Sequence, residues 1–403
     1  MTPKERYSYI TPEDYSTVAG PDWPAFDQFQ QHTNIAQSIY DEIDCMLAPQ
    51  KKFNHPAFCV LPFYGWEYPI NQECCLMPKG SNIQKVQSSM LNGIRPAACG
   101  KCWALEDAGL NSDRQLKNES LSLLFDSDIN QLLINSQAGI NFRTHYKIDT
   151  STVCNATCIT CGSDSSSAWA QLERKNGFAA KKTWQIRKET LPSGIDYSNA
   201  KTIGFRGGEP LLSDANFAIL EKLLENNNSD CFISFTTNGS LRPTKQQQHI
   251  LDHFKNVNFC FSIDGVGPVF EYLRYPLSWE TLVSNMIYVR AHGIHASVSY
   301  TLSNLNSWYH HETVQWFREM NLDYIVNPVY SPEYFSPSVL PESVKQLIAA
   351  EPGNTELVHL LTHSDQDDVK FLKFIENVNR QDSWKGIQLG DYLPAFAKAL
   401  NFK

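Results

Sequence analysis

The chain has 403 residues, 42% of them hydrophobic and 19% charged, with a formal net charge of -9. That length admits about two domains, the composition is that of a packed globular chain, and the acidic balance argues against broad nucleic-acid binding, which needs cationic surface. No apolar run approaches the ~18 residues of a membrane-spanning helix, and the opening MTPKERYSYI lacks the apolar segment of a signal peptide, so the expected compartment is the cytoplasm, with no membrane partner. One basic stretch departs from the acidic balance: Arg174, Lys175, Lys181, Lys182, Arg187 and Lys188. It reads as a solvated helix face and its loop, with a landing site for an acidic substrate or an RNA backbone as the alternative.

In chain order, residues 1–55 are mixed and aromatic-rich, with a Gly20-Pro21 turn, and read as an extension draped over the neighbouring domain. Residues 56–135 carry Cys59, Cys74, Cys75, Cys99 and Cys102. So short a segment buries little core of its own, and clustered cysteines in a reducing compartment point to metal rather than disulfides; this is the predicted small metal-stapled module. Residues 140–335 alternate strand-like and helix-like runs. The strands are predicted at Phe142–Asp149, Thr202–Phe205, Phe232–Thr236, Val257–Ile263, Ala296–Leu302 and Asp323–Pro328, with helices between them at Ser165–Arg174, Ala215–Asn226, Thr244–Phe254, Trp279–Ala291 and Trp308–Met320. Such alternation implies parallel strands with right-handed crossovers. The expected class is therefore α/β, a partial (β/α)6 TIM-like barrel with its ligand site at the carboxyl ends of the strands. Residues 336–403 are expected to form a helical C-terminal extension, with Phe371, Phe374, Ile375 and Val378 recurring at helical spacing. Cys231 and Cys260 lie in strand-like runs and read as small core residues.

Two motifs stand where the ligand site should be. Cys154-Asn-Ala-Thr-Cys158-Ile-Thr-Cys161 directly follows the first of these strands. Thiolates are the usual ligands of iron–sulfur clusters, and three rather than four would leave one iron of a cubane open; a zinc site with a distant fourth ligand is the rival reading. Gly207-Gly208-Glu209-Pro210 follows the next strand. Two glycines allow close backbone approach, and with the Glu209 carboxylate they suit an ammonium group, although a plain turn before a helix has the same composition.

The pair C-x3-C-x2-C and GGEP on successive strand ends resembles the radical S-adenosylmethionine superfamily. That resemblance implies a 4Fe-4S cluster on Cys154, Cys158 and Cys161, whose open iron binds the amino and carboxylate groups of S-adenosyl-L-methionine. It implies reductive cleavage to a 5′-deoxyadenosyl radical that abstracts hydrogen from a substrate, the cofactor carrying the chemistry. Further similarity spans roughly residues 140–330. Asn238, in Thr236-Thr237-Asn238-Gly239, and Ser262 and Asp264, in Ser262-Ile263-Asp264-Gly265, are implied contacts to the ribose and carboxylate of the cofactor. Arg274 is an implied carboxylate partner, and Leu302, Asn304 and Val329 would back the adenine. Asn-Gly and Asp-Gly are also plain turn signals. One departure is Thr160, where the family often has an aromatic residue against the adenine. No further catalytic residue is assigned beyond the cluster loop.

The upstream cysteines are similar to the twitch and SPASM accessory modules of such enzymes, which usually follow the barrel rather than precede it. Cys59, Cys99, Cys102 and one of the adjacent Cys74 and Cys75 would hold a second 4Fe-4S cluster. The resemblance implies a peptide or protein substrate, oxidative modification or cross-linking, and an external electron donor such as flavodoxin or ferredoxin. The alternatives are the same chemistry on a small molecule, nucleotide or RNA, and, more remotely, a non-catalytic zinc protein.

Overall fold

A computed structural model describes residues 55–74, 76–107, 112–124, 129–140, 143–178, 192, 195–329, 331–357, 361 and 367–402. The predicted N-terminal extension, Cys75 and four of the basic residues (Lys181, Lys182, Arg187 and Lys188) lie outside them. Of the basic stretch, Arg174 and Lys175 occupy the last turn of the helix Ser167–Lys175, where a cation complements the helix dipole.

Seven strands form one parallel sheet in chain order: β1 (Gly65–Tyr68), β2 (His145–Ile148), β3 (Thr202–Phe205), β4 (Phe232–Thr237), β5 (Val257–Ser262), β6 (His295–Leu302) and β7 (Asp323–Pro328). The sheet curls into a partial barrel with a helical C-terminal region. Six of the strands are those expected. The seventh, β1, comes from the cysteine-rich segment and pairs with β2, Gly65 opposite His145 and Tyr68 opposite Ile148. Its sequence, GWEY, is too short to declare a period and ends at Pro69.

Alternation along each strand divides the two faces of the sheet. In β4 and β6 every second residue is buried. The buried set, including Ile203, Phe205, Ile233, Phe235, Phe259, Phe261, Val298 and Tyr300, forms the main core with helix residues such as Ile219, Leu220, Leu223 and Leu251. The other face carries Lys147, Arg206, Ser234, Thr236, Cys260, Ser262, Ser299 and Thr301, all only partly buried, and lines the inside of the curl. Cys260 is thus a partly exposed thiol on the polar face, unlike Cys231, which is buried.

A second, smaller core gathers Phe58, Val60, Leu61, Phe63, Met77, Val86, Met90 and Leu132 around Cys59 and Cys74. Arg114 and Asn118 hold this segment's chain from below: both donate to the Phe58 carbonyl, and Arg114 makes a forked pair with Glu106. Near the C-terminal end of the chain the 18-residue helix Asp368–Lys385 closes on Gly386, whose φ of 69° suits a left-handed cap.

The Phe235 ring lies 5.0 Å from Phe205, 5.6 Å from Phe217 and 5.3 Å from Phe259. Truncation there leaves a cavity that neighbouring strands cannot fill. Phe235→Ala should cost about 3–5 kcal/mol, read as a lower denaturant midpoint at unchanged slope.

Candidate metal and cofactor site

The cysteine loop leaves β2 and the Gly-Gly-Glu-Pro loop leaves β3, so both open at the carboxyl end of adjacent parallel strands. They are joined backbone to backbone: Gly208 N donates to the Ser151 carbonyl at 3.0 Å and Glu209 N to the Val153 carbonyl at 2.8 Å. Glycine is required for this. A Cβ at Gly207, whose φ is +108°, would collide with the Ser151 carbonyl, and one at Gly208 with that of Val153. The close approach expected of these glycines is therefore made to the cysteine loop itself.

The loop's far side is fixed by the helix Ser167–Lys175. Ser166 caps that helix and donates to the Ala156 carbonyl at 2.7 Å. Ser167 receives the Cys154 amide at 3.0 Å, and Trp169 Nε1 donates to the Cys158 carbonyl at 2.8 Å. Thr157 N and Ile159 N donate to the carbonyls of Tyr275 and Leu273. Thr160, the departure from the family pattern, is part-buried between Ile159 and Cys161.

The three sulfurs share one electrostatic environment. Burial pushes the Cys154 thiol up to about 11, helped by Cys158. Cys161 is exposed as a residue, yet crowding of its sulfur and the neighbouring Cys158 and Cys154 push it up to about 12. Burial also raises Cys158, opposed by the guanidinium of Arg274, whose Nη1 lies 3.9 Å from its sulfur. Thiols so placed ionise only with a cation to offset the charge, as a metal centre does. Among the described residues no three His, Cys, Asp or Glu side chains converge on one point as the ligands of a single ion do. A cubane makes no such demand, because each thiolate binds a different iron. The donor set fits a cluster.

Glu209 is 1% exposed. Its Oε1 accepts from Thr237 Oγ1 at 2.8 Å and from Leu211 N at 3.2 Å, and its Oε2 from Asn238 N at 2.8 Å. The carboxylate thus ties the end of β4 to the end of β3. Asn238 then reaches back to the cysteine loop, donating to Asn155 Oδ1 at 2.8 Å with its Nδ2 3.9 Å from the Cys154 sulfur.

Asp264 and Arg274 are brought together with each other: Arg274 Nη2 lies 2.8 Å from Asp264 Oδ2, and Thr301 N donates to the other oxygen at 2.9 Å. Burial would lower the Arg274 pKa, but the charge and hydrogen bond of Asp264 together with Cys158 and Cys161 outweigh it and hold the guanidinium protonated. Arg274 Nε and Asn304 Oδ1 are buried without a hydrogen-bond partner, a donor and an acceptor left over for a ligand. Ser262 ends β5 on the polar face. Leu302 and Val329 are buried neighbours, joined by Val329 N to the Leu302 carbonyl at 2.9 Å. The Leu302 side chain belongs to the main core, so Thr301, its neighbour, is the residue that shares the concave face.

Upstream, Cys59, Cys74 and Cys102 are buried and Cys99 is partly so. Burial first, then Cys74, Cys102 and Cys99, raise the Cys59 thiol well above its ordinary value. Four of the five predicted positions are therefore neighbours.

Sequence reasoning missed Thr237, Ser167 and Trp169 as supports of the loop, and Gln381 and Lys385 on the C-terminal helix. Gln381 Nε2 donates to the Ile159 carbonyl at 3.0 Å, inside the cysteine motif. The signal was present: Asn377, Gln381 and Lys385 recur every fourth residue beside Phe374 and Val378.

No family model matches the chain, and no curated protein does. Among solved structures it is similar to anSMEcpe with bound AdoMet, at 16% identity and TM-score 0.34 over 60% of this chain and 59% of that one. It is also similar to Streptococcus suis SuiB bound to the precursor peptide SuiA, at 13% identity and TM-score 0.36 over 67% and 57%. SuiB bound to S-adenosylmethionine gives 15% identity and TM-score 0.37 over 61% and 58%. The chain spans under three fifths of the SuiB chains and 59% of the anSMEcpe chain. At these identities and TM-scores no residue's role carries over from them.

Burial raises the Glu209 carboxyl to about 6 from an ordinary 4.5. The native state then holds its proton longer than the unfolded chain, so stability present below pH 4.5 is lost as pH rises through 6. The loss is about 2 kcal/mol at 1.36 kcal/mol per unit. Glu209→Gln should flatten the apo protein's unfolding midpoint across that window, whereas an unchanged slope would show that the proton sits elsewhere.

Proposed function

We propose that this chain is a radical S-adenosylmethionine enzyme acting on a peptide or protein. The observation that carries the reading is the joining of the Cys154–Cys161 loop to the Gly-Gly-Glu-Pro loop by the Gly208 and Glu209 amides. Each motif alone has a bland explanation; their union at two adjacent strand ends does not.

In this reading Cys154, Cys158 and Cys161 hold a 4Fe-4S cluster with one iron left open. When bound, the cluster and S-adenosylmethionine supply reductive cleavage to 5′-deoxyadenosine and a hydrogen abstraction from substrate. The chain's own residues position and enclose. Gly207 and Gly208 keep side chains out of the space beside the cluster loop, and Glu209 holds Asn238 against Asn155. The Arg274 guanidinium, with its Nε still open, faces the cofactor carboxylate while Asp264 fixes its plane. Ser262 and Asn238 serve the ribose, Asn304 Oδ1 accepts from an amino donor, and Thr301 shares the face that the buried Leu302 and Val329 back from the core.

The polar concave face, with Lys147, Arg206, Ser234, Thr236, Cys260, Ser297 and Ser299, suits a substrate rich in amides and polar side chains. Peptide backbone is such a substrate. Residues 56–135 act as an accessory module like twitch and SPASM domains, in which Cys59, Cys99, Cys102 and Cys74 or Cys75 hold a second 4Fe-4S cluster. That cluster would take the electron released by oxidative modification or cross-linking, and a flavodoxin or ferredoxin would reduce the first. Residues 140–335 form the barrel, joined by β1 from the preceding segment, with 1–55 an N-terminal extension and 336–403 a helical extension. No described helix is long and apolar enough to cross a membrane; we place the chain in the cytoplasm.

Anaerobic reconstitution should load about eight irons per chain, two cubanes' worth, and yield 5′-deoxyadenosine when reductant and S-adenosylmethionine are added. Intact clusters without 5′-deoxyadenosine would defeat the reading. Replacing Cys99 and Cys102 together by Ala should abolish modified peptide while leaving some uncoupled cofactor cleavage; wild-type product from that variant would remove the accessory module from the account.

A further inference from the structure

The helix Asp368–Lys385 packs Phe374 and Val378 into the main core, but its buried face also carries a polar row. Asn377, Gln381 and Lys385 stand one above another at four-residue spacing and are all buried. Asn377 Nδ2 donates to Tyr334 Oη at 3.2 Å, Gln381 Nε2 to Asn377 Oδ1 at 2.7 Å, and Lys385 Nζ to Gln381 Oε1 at 2.9 Å. The same Gln381 amide reaches the Ile159 carbonyl, between Cys158 and Cys161. The row therefore ends in an ammonium group held behind the cysteine loop.

Aromatic faces complete its surroundings. Nζ lies 4.9 Å from the Trp169 ring and 6.0 Å from that of Tyr275, and Tyr275 Oη donates to the Lys385 carbonyl. Trp169 is the residue that donates to the Cys158 carbonyl. The nearest acid on the helix, Asp382, is engaged by Tyr272 Oη and Leu389 N. Among the described residues no carboxylate lies within ion-pair distance of Nζ. Burial pulls the Lys385 pKa down to about 8, against the upward pull of Cys158, Asp382 and Cys161. The same coupling is felt from the other side, where Lys385 and Arg274 both ease ionisation of Cys158.

A buried ammonium with no carboxylate opposite it is costly unless an anion completes the site. Three thiolates on a cubane would be that anion. Resting on the reading of Cys154, Cys158 and Cys161 as cluster ligands, we propose that Lys385 is the buried counter-charge of the cluster, placed by the Asn377–Gln381 row to favour the cluster's reduced state. Lys385 touches no reacting atom; it is a positioning residue that acts through the field at the cluster. Reduction adds a negative charge, a nearby cation stabilises it, and net charge is one of the quantities that set cluster potentials. Trp169 and Tyr275 keep water from screening the effect.

The test is a potentiometric titration of the reconstituted full chain, with the reduced cluster read by electron paramagnetic resonance. Lys385→Met keeps length and apolar bulk and removes the charge. At a fixed potential near the wild-type midpoint, its reduced-to-oxidised ratio should fall about tenfold, equivalent to a midpoint lower by about 59 mV for a one-electron couple. Lys385→Arg should stay near wild type, and Gln381→Leu, which frees the ammonium from its acceptor, should fall between. Unchanged midpoints in Lys385→Met and Gln381→Leu, with iron content intact, would overturn the proposal alone. A wild-type chain that takes up no iron would overturn the reading beneath it.

Discussion

The structure depends on two amide hydrogen bonds, from Gly208 to Ser151 and from Glu209 to Val153. They hold the cysteine loop against its neighbour at a distance that no side chain at either glycine would permit. Parallel strands bring successive loops to one rim, but they do not by themselves lock those loops together. Here the locking continues along the rim. Glu209 carries it from β3 to the end of β4 through Thr237 and Asn238, and Asn238 returns it to Asn155. Asp264 links the end of β5 to Thr301 in β6. The cysteines are thus presented by a hydrogen-bonded rim rather than by a free loop.

Charge at the rim obeys the same constraint. The three thiols are pushed up by burial, Cys154 and Cys161 also by their neighbouring cysteines, so the apo site is poised against ionisation. Two cations stand by: Arg274, already matched by Asp264, and Lys385, which has aromatic rings and an amide about it instead of an acid. The site is arranged around a negative charge that the thiols cannot carry alone. In the proposed reading a metal centre would supply what is missing, and the cations would then have their counterpart.

Much of the fold was legible because the barrel strands keep the period that burial on one face imposes. Strands β4 and β6 alternate cleanly, and the ends of β4 to β6 fall within a residue or so of expectation. Strand β1 was not legible: four residues with one glycine make too little pattern, and what selects them is pairing with β2 across some eighty residues of chain. The motif positions could be read at once, since Cys-x3-Cys-x2-Cys and Gly-Gly-Glu-Pro are local. Their partners could not. That Glu209 is occupied by Thr237 and Asn238, or that Arg274 is engaged partly by Asp264, is decided by how strand ends meet. The C-terminal helix shows the limit of apolar periodicity as a signal. Phe374 and Val378 announce a packed face, whereas the buried polar row at Asn377, Gln381 and Lys385 on that face has no apolar period to announce it.

The central claim is that Cys154, Cys158 and Cys161 carry a cluster whose open iron takes S-adenosylmethionine. Electron paramagnetic resonance of the reduced, reconstituted chain before and after S-adenosylmethionine is added tests it most directly. The account predicts a 4Fe-4S signal whose g-values shift on addition, with the shift lost when the three cysteines are replaced by Ala. A signal that the cofactor leaves unchanged, or a chain that binds zinc at these cysteines and no iron, would contradict it.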